Sequence, residues 1–313
     1  MDPNIEAYLA DLLPKLYQHG VQLKCTREIQ YGWQLELHRE NERLKLNVYQ
    51  SKKMGVSTLI NKGGGAALEA LVSSEINKLF VPLPIQSAMH EWDCWIGSDE
   101  CGKGDYFGAL VVAAFRVERK DLPRLRELGV KDSKSLRDPD IISIAKKLYA
   151  AFPGASNSII LKPQTYNRIY ADMKSQGKNL NDLLAWQHAQ VISELYASSK
   201  GVQGALVDQF SKSCKVARLL KVKLPLLPVV ERTGAEADLA VAAASISARF
   251  QFLQAHEELS KRYKMSLPLG SHRVQDQAQA FIGQYGFERL GEVVKLHFVI
   301  TSRLQQKDIF TKL

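Results

Sequence analysis

At 313 residues the chain is too long for one average domain and long enough for two, each with its own core. Its 45% hydrophobic residues fall in short runs, none near membrane-spanning length, which excludes a helical membrane protein. The formal charge is +9, and because the first 80 residues hold 10 basic against 9 acidic side chains, the excess lies in the C-terminal part. A basic surface attracts phosphates as readily as it keeps a protein soluble.

Cys25, Cys94, Cys101 and Cys214 form no CxxC pair and have no His at zinc spacing, so they read as free thiols of a reducing compartment. The opening Met1–Glu6 carries acids and no basic n-region, which leads us to expect a cytoplasmic protein without a secretory leader. Asp2 and Pro3 can start a helix that continues through Ile5, Leu9, Leu12, Leu13 and Leu16. Val21–Thr26, Trp33–Arg39, Arg43–Tyr49 and Val56–Ile60 alternate as short antiparallel strands, and a helix is expected from Ala66 to Leu79. At the end of the third strand, Tyr49, Lys52 and Lys53 set an aromatic beside two cations, as either a phosphate-backbone contact or a solvated turn. Val81–Gln86, with prolines at 82 and 84, reads as an extended linker and the domain boundary.

The next stretch organises the chain. Trp95 and Ile96 lead a strand into the adjacent carboxylates Asp99 and Glu100, then into a glycine-rich turn with Gly102, Gly104 and Gly108, before an apolar strand over Ala109–Val117. Neighbouring strand residues face opposite ways, so the two acids share a site only if the backbone bends just after them. Glycines beside acids also leave backbone groups open to a phosphate or ribose. Further on, Ser133 and Lys134 lie in a polar loop that suits either a helix cap or a phosphate. A strand is expected over Ser158–Leu161 and a helix over Asn181–Ala197. His188 in that helix has no metal-type residue at i+4, so it reads as packed or surface rather than ligating.

Gly204–Phe210 is a buried-strand pattern whose acid, Asp208, either turns into a crevice at the strand's carboxyl end or caps a turn. Glu236 and Asp238 precede an alanine-rich helix over Leu239–His256. Being two residues apart on a helix, at most one of them faces a site. Leu267–Ser271 reads as a loop and Lys295–Phe298 as a final basic element.

If Asp99, Glu100, Asp208 and one of the later acids converge, two like charges ~4 Å apart repel by about 4 kcal/mol at an effective dielectric near 20, so the cluster needs cations or protons. Carboxylates without His or Cys select Mg²⁺ or Mn²⁺. Two such ions suit an in-line phosphoryl displacement.

The motif Asp99-Glu100-Cys101-Gly102-Lys103-Gly104 resembles that of type 2 ribonucleases H, and its continuation Asp105–Gly108 is closer to the HIII branch than to HII. The likeness continues in order through Lys131–Lys134, Leu184–His188, Val207–Phe210, Thr233–Arg249, Leu267–Gly270 and Lys295–Phe298. It implies an α/β protein: a ribonuclease H-like catalytic domain over 94–313, with a mixed central sheet flanked by helices. A small α+β TATA-box-binding-protein-like domain over 1–80 and a linker over 81–93 would precede it. It also implies cleavage of the RNA strand of RNA/DNA hybrids with a divalent metal, leaving 5'-phosphate and 3'-hydroxyl ends.

By the resemblance, Asp99, Glu100, Asp208 and Glu236 are the ligands of a Mg²⁺ or Mn²⁺ pair, Glu236 being preferred because the family's glutamate stands in a context similar to Thr233–Glu236. Gly102, Lys103 and Gly104 would read the ribose, and Ser133, Lys134, Tyr49, Lys52 and Lys53 would contact the hybrid. The partner is then the hybrid, with no membrane, and the protein a monomer. Lys103, Ala109 and Gly234 depart from the usual pattern, and none removes a carboxylate. Cleavage at single embedded ribonucleotides and a purely hybrid-binding role are the competing expectations.

Overall fold

Alternation of Leu35 and Leu37 with polar neighbours, and of Leu44, Leu46 and Val48 with theirs, gives each strand one apolar face, and these faces meet the apolar stripes of two helices. The structure is a computed structural model and describes residues 3–51, 55–61, 65–78 and 90–311. The chain forms two compact units, 1–90 and 91–313. In the first, helix α1 (Pro3–Gln18) leads into strands β1 (Gln22–Ile29), β2 (Gly32–Arg39), β3 (Glu42–Ser51) and β4 (Gly55–Asn61), then helix α2 (Ala66–Lys78). The strands form an antiparallel meander in chain order. Ile5, Leu9, Leu12 and Leu16 of α1 and Leu68 and Val72 of α2 fill the core beneath it. Glu42 ties α2 to the sheet by accepting the Leu68 N–H at 2.7 Å. Most of the linker expected over 81–93 lies outside the described residues.

The second unit runs β5 (Cys94–Cys101), β6 (Leu110–Glu118), α3 (Leu122–Glu127), α4 (Asp138–Ala151), β7 (Ser156–Leu161), α5 (Pro163–Ser175) and α6 (Leu180–Ala197). It continues with β8 (Gly204–Asp208), α7 (Lys215–Lys223), β9 (Val229–Arg232), α8 (Leu239–Arg262), α9 (Gln275–Tyr285) and α10 (Val299–Thr311). Its sheet has the order β7-β6-β5-β8-β9. β8 pairs in parallel with β5 and with β9, and β6 runs antiparallel to both its neighbours, β5 and β7, so the sheet is mixed as expected. Both faces are buried. Leu110, Val112 and Ala114 of β6 meet α6, whereas Val111 and Ala113 meet α8 at Ala248 and Phe252.

Gly97 allows α8 to cross β5 at backbone distance, since a Cβ there would stand 2.2 Å from the Ala240 carbonyl carbon and the Val241 nitrogen. The alanines at 240 and 242–244 complete that close approach.

The expected final basic element turns inward: Lys295 is buried, and its ammonium donates to the carbonyls of Gly108 and Ala109 at 2.8 and 3.2 Å. Burial pushes that ammonium down to about 7. Around it Tyr106 and Phe107 pack with Phe281, Leu290, Val293 and Val294, which fastens the loop between β5 and β6 to the end of the chain.

Candidate active site

β5 stays paired with β6 through both acids, with Asp99 opposite Ala113, Glu100 opposite Val112 and Cys101 opposite Val111. The bend comes just after them, at Gly102, whose φ of +91° and 2.3 Å Cβ clearance to the Ala109 carbonyl leave room for no other residue without strain. The acids part as strand neighbours must. Asp99 turns toward α8, where it is hydrogen-bonded to Ser245, and Glu100 turns toward α6, where Oε2 lies 3.2 Å from His188 Nε2. They still interact, because both sit at the sheet's end.

Asp208 ends β8, the parallel neighbour of β5, so it stands at the carboxyl edge beside Asp99. It is not only a ligand candidate. Its Oδ1 accepts the Ala235 N–H at 3.2 Å and so holds the single turn, Ala235–Ala237, that carries Glu236. Glu236 in turn is hydrogen-bonded to Asp208 and lies 3.5 Å from Lys134 Nζ. Asp238 is elsewhere: it caps α8 through the Ala240 N–H at 2.8 Å and accepts the Trp95 indole N–H at 2.9 Å. Of the two acids left open by spacing, Glu236 is the one beside Asp208.

Asp99, Glu100, Gly102, Lys103, Gly104, Ser133, Lys134 and Asp208 line one cleft of about 470 Å³. Glu236 adjoins it through Asp208 and Lys134. Ser133 meets Ser245 at 2.6 Å, and Asp132 caps the turn that presents Lys134 by accepting its N–H at 2.9 Å. Lys103 Nζ lies 3.6 Å from Glu100 Oε1 and 5.4 Å above the Phe210 ring. Tyr49 is on β3 of the first unit, its hydroxyl accepting from Asn47 Nδ2 at 2.9 Å, and Lys52 and Lys53 lie outside the described residues.

The electrostatics are those of crowded anions. Burial, then the charges of Glu100 and Asp208, push Asp99 up to about 8. Burial, then Glu236, push Asp208 up to about 6. Burial acts the same way on Glu100, but His188 and Lys103 outweigh it and hold that carboxyl below its ordinary value. Glu236 also ends lower than usual, because its own backbone N–H, Asp208 and Lys134 overcome its burial.

Among the described residues no three His, Cys, Asp or Glu side chains are already grouped to hold a metal ion. Three of the acids' oxygens face cationic or imidazole groups instead: Glu100 meets His188 at 3.2 Å and Lys103 at 3.6 Å, and Glu236 meets Lys134 at 3.5 Å. The donor set itself suits a hard cation, being all oxygen, with Glu236 Oε2 buried and without a hydrogen-bond partner.

Sequence reasoning missed His188 and Ser245, which hold Glu100 and Asp99. It also left unassigned Arg249, which lines the cleft and grips Asp138 with two N–H groups at 2.9 Å. A serine ending the run Ala242–Ala244, four residues before an arginine, was the available signal for one polar stripe on α8.

A mixed sheet that brings acids from two adjacent strands and a flanking turn to one edge defines the ribonuclease H-like class of nucleases. The chain belongs to the ribonuclease HII family, whose model matches residues 96–301. It is similar to ribonuclease HIII of Protochlamydia amoebophila (strain UWE25), 41% identical over 204 residues, which span 65% of this chain and 65% of that protein. Ribonuclease HIII of Bacillus cereus (strain AH187) is 40% identical over 214 residues, 66% of this chain and 67% of the relative. Among solved structures, Bst-RNase HIII in complex with Mn²⁺ superposes with a TM-score of 0.65 at 28% identity, covering 95% of both chains.

Proposed function

We propose that the protein is an endoribonuclease that hydrolyses the RNA strand of RNA/DNA hybrids, with Asp99, Glu100, Asp208 and Glu236 holding Mg²⁺ or Mn²⁺. The observation that carries this reading is the meeting of acids from β5, β8 and the turn before α8 beside two lysines, in a chain of the ribonuclease HII family. Bound divalent ions, two in the fullest form of the reading, supply the activation of water and the stabilisation of the leaving oxygen in an in-line displacement at phosphorus. The rest falls to the chain's own groups. Asp99 and Glu100 present oxygens from opposite sides of one strand. Asp208 and Glu236 present theirs from the neighbouring strand and its turn.

Lys103 and Lys134, with Ser133, contact phosphates of the substrate backbone. The backbone of Gly102–Gly104 meets the ribose, where the 2'-hydroxyl distinguishes RNA from DNA. Tyr49, Lys52 and Lys53 of the first unit, read as a substrate-binding domain, contribute further contacts to the hybrid. The products carry 5'-phosphate and 3'-hydroxyl ends. We read the enzyme as a cytoplasmic monomer; no helix among the described residues is long and apolar enough to cross a membrane.

The test is cleavage by the wild type and by Asp99→Asn, with Mg²⁺ or Mn²⁺, of a long RNA/DNA hybrid and of a DNA duplex holding one ribonucleotide. Cutting of the long hybrid that the variant loses is the expected result. Binding without cleavage under either metal would make the protein a hybrid-binding module, and efficient cutting at the single ribonucleotide would assign it the other substrate.

A further inference from the structure

His188 is fully buried on α6, on a helix face otherwise built from Leu184, Ala185, Val191, Ile192 and Leu195. Packing alone would be served by another aliphatic side chain there, since a buried imidazole costs free energy unless both nitrogens find partners. Both do, and both partners come from β5. Nδ1 lies 2.7 Å from the Ser98 hydroxyl and Nε2 lies 3.2 Å from Glu100 Oε2, so the ring spans the residues on either side of Asp99. A third element joins them: the ring stacks on Phe210, two residues beyond Asp208, with centroids 5.2 Å apart and planes at 20°. One histidine on a helix thus touches β5 and the segment that follows β8.

We propose that His188 is a positioning residue for the nuclease site. It grips Glu100 through Oε2, is itself fixed by Ser98 and Phe210, and so keeps Oε1 turned into the cleft, on the side where Lys103 stands 3.6 Å away. The inference rests on the proposed role of Glu100 as a cation ligand. A glutamate has three side-chain torsions, and among the described residues the imidazole is the group on the α6 side that holds the carboxylate in one of them. Partners that orient metal-ligating groups typically change ion affinity or activity by ~10–100-fold when removed.

The experiment is calorimetric titration of the full-length protein with Mn²⁺ alone, together with kcat and KM on a hybrid, for His188→Leu, His188→Gln, His188→Asn and Ser98→Ala. The glutamine amide reaches about as far as Nε2 and can still donate to Glu100. The asparagine amide reaches only as far as Nδ1 and serves Ser98 alone. His188→Leu and His188→Asn are expected to bind Mn²⁺ ~10–100-fold more weakly and to lose kcat at fixed Mg²⁺ with KM for hybrid unchanged. His188→Gln is expected to recover most of the loss, and Ser98→Ala to lose several-fold, in keeping with its place one bond further out.

Equal Mn²⁺ affinity in the wild type and His188→Leu would overturn the inference, as would equal recovery by glutamine and asparagine. If His188→Leu does not fold, the contrast between glutamine and asparagine decides. Failure of the wild type itself to bind Mn²⁺ or to cut hybrid would overturn the nuclease reading and this inference with it, whereas a wild type that does both with insensitive variants sinks this inference alone.

Discussion

Asp238 and Glu236 stand two residues apart and serve different ends because the turn Ala235–Ala237 holds one acid beside Asp208, whereas the next residue but one caps the start of α8. Asp238 accepts from Ala240 N–H and from the Trp95 indole, so Asp238→Ala removes a cap and leaves a buried donor without its partner. That change is expected to cost ~1–2 kcal/mol in urea denaturation, with cleavage by the folded fraction kept within a few-fold. Glu236→Gln keeps the side chain's shape and removes one negative charge beside Asp208. It is expected to leave stability within about 1 kcal/mol and to lower kcat by more than the ~10–100-fold typical of a ligand's outer partners. The reverse pattern, with Asp238→Ala inactive and Glu236→Gln active, would exchange their roles. Spacing allowed at most one of the pair to face the site. The reason is that the other already accepts from three donors, the Ala240 and Val241 N–H groups and the Trp95 indole. His188 is packed rather than ligating, as its spacing suggested, but its grip on Glu100 was not legible because its partners lie on a strand some 90 residues earlier.

At the scale of elements, the site depends on how closely α8 lies on β5. Gly97 precedes Asp99 by two residues and faces the first turn of α8, directly after the segment bearing Glu236 and Asp238. Gly97→Ala would drive a methyl group into backbone rather than into a flexible side chain, so relief requires the start of the helix to move. Overpacking of this kind typically costs ~1–3 kcal/mol, and with backbone on both sides the upper end is expected. The same displacement separates Glu236 from Asp99, so the folded variant is expected to bind Mn²⁺ more weakly than wild type by titration. A variant of normal stability and normal Mn²⁺ affinity would show that the approach of α8 to β5 does not set the site. The elements around the acids were legible in sequence because each has strong patterning: apolar runs for β5, β6 and β8, and an alanine-rich run for α8. The rest was not legible, for physical reasons. β9 has four residues, α7 mixes basic and apolar residues over nine, and α9 buries only Ala278 and Phe281. The burial of Lys295 was not legible because its partners, the Gly108 and Ala109 carbonyls, are backbone groups far away in the chain.

Over the whole molecule, charge and chemistry are divided unequally. All four acids and the lysines beside them belong to the unit formed by residues 91–313, which has its own sheet and cores on both faces of it. The first unit has a separate core and, over residues 1–80, 10 basic against 9 acidic side chains, so it offers no broad cationic field. If it binds hybrid, it does so through particular contacts, of which Tyr49, Lys52 and Lys53 are the proposed ones. Removing residues 1–90 should then raise KM for a long hybrid while leaving kcat at saturation within a few-fold, since no catalytic group is lost. Each phosphate contact contributes about −0.9 to the slope of log K against log[salt] on duplex DNA, so losing two lysine contacts should flatten that slope by about 2. The full-length Lys52→Ala/Lys53→Ala protein should show the same flattening, and Tyr49→Ala should weaken binding without changing the slope, because an aromatic contact releases no counterions. An unchanged KM and slope in the truncated protein would remove the first unit from substrate binding, and a loss of kcat with unchanged KM would mean that it acts on the catalytic unit instead.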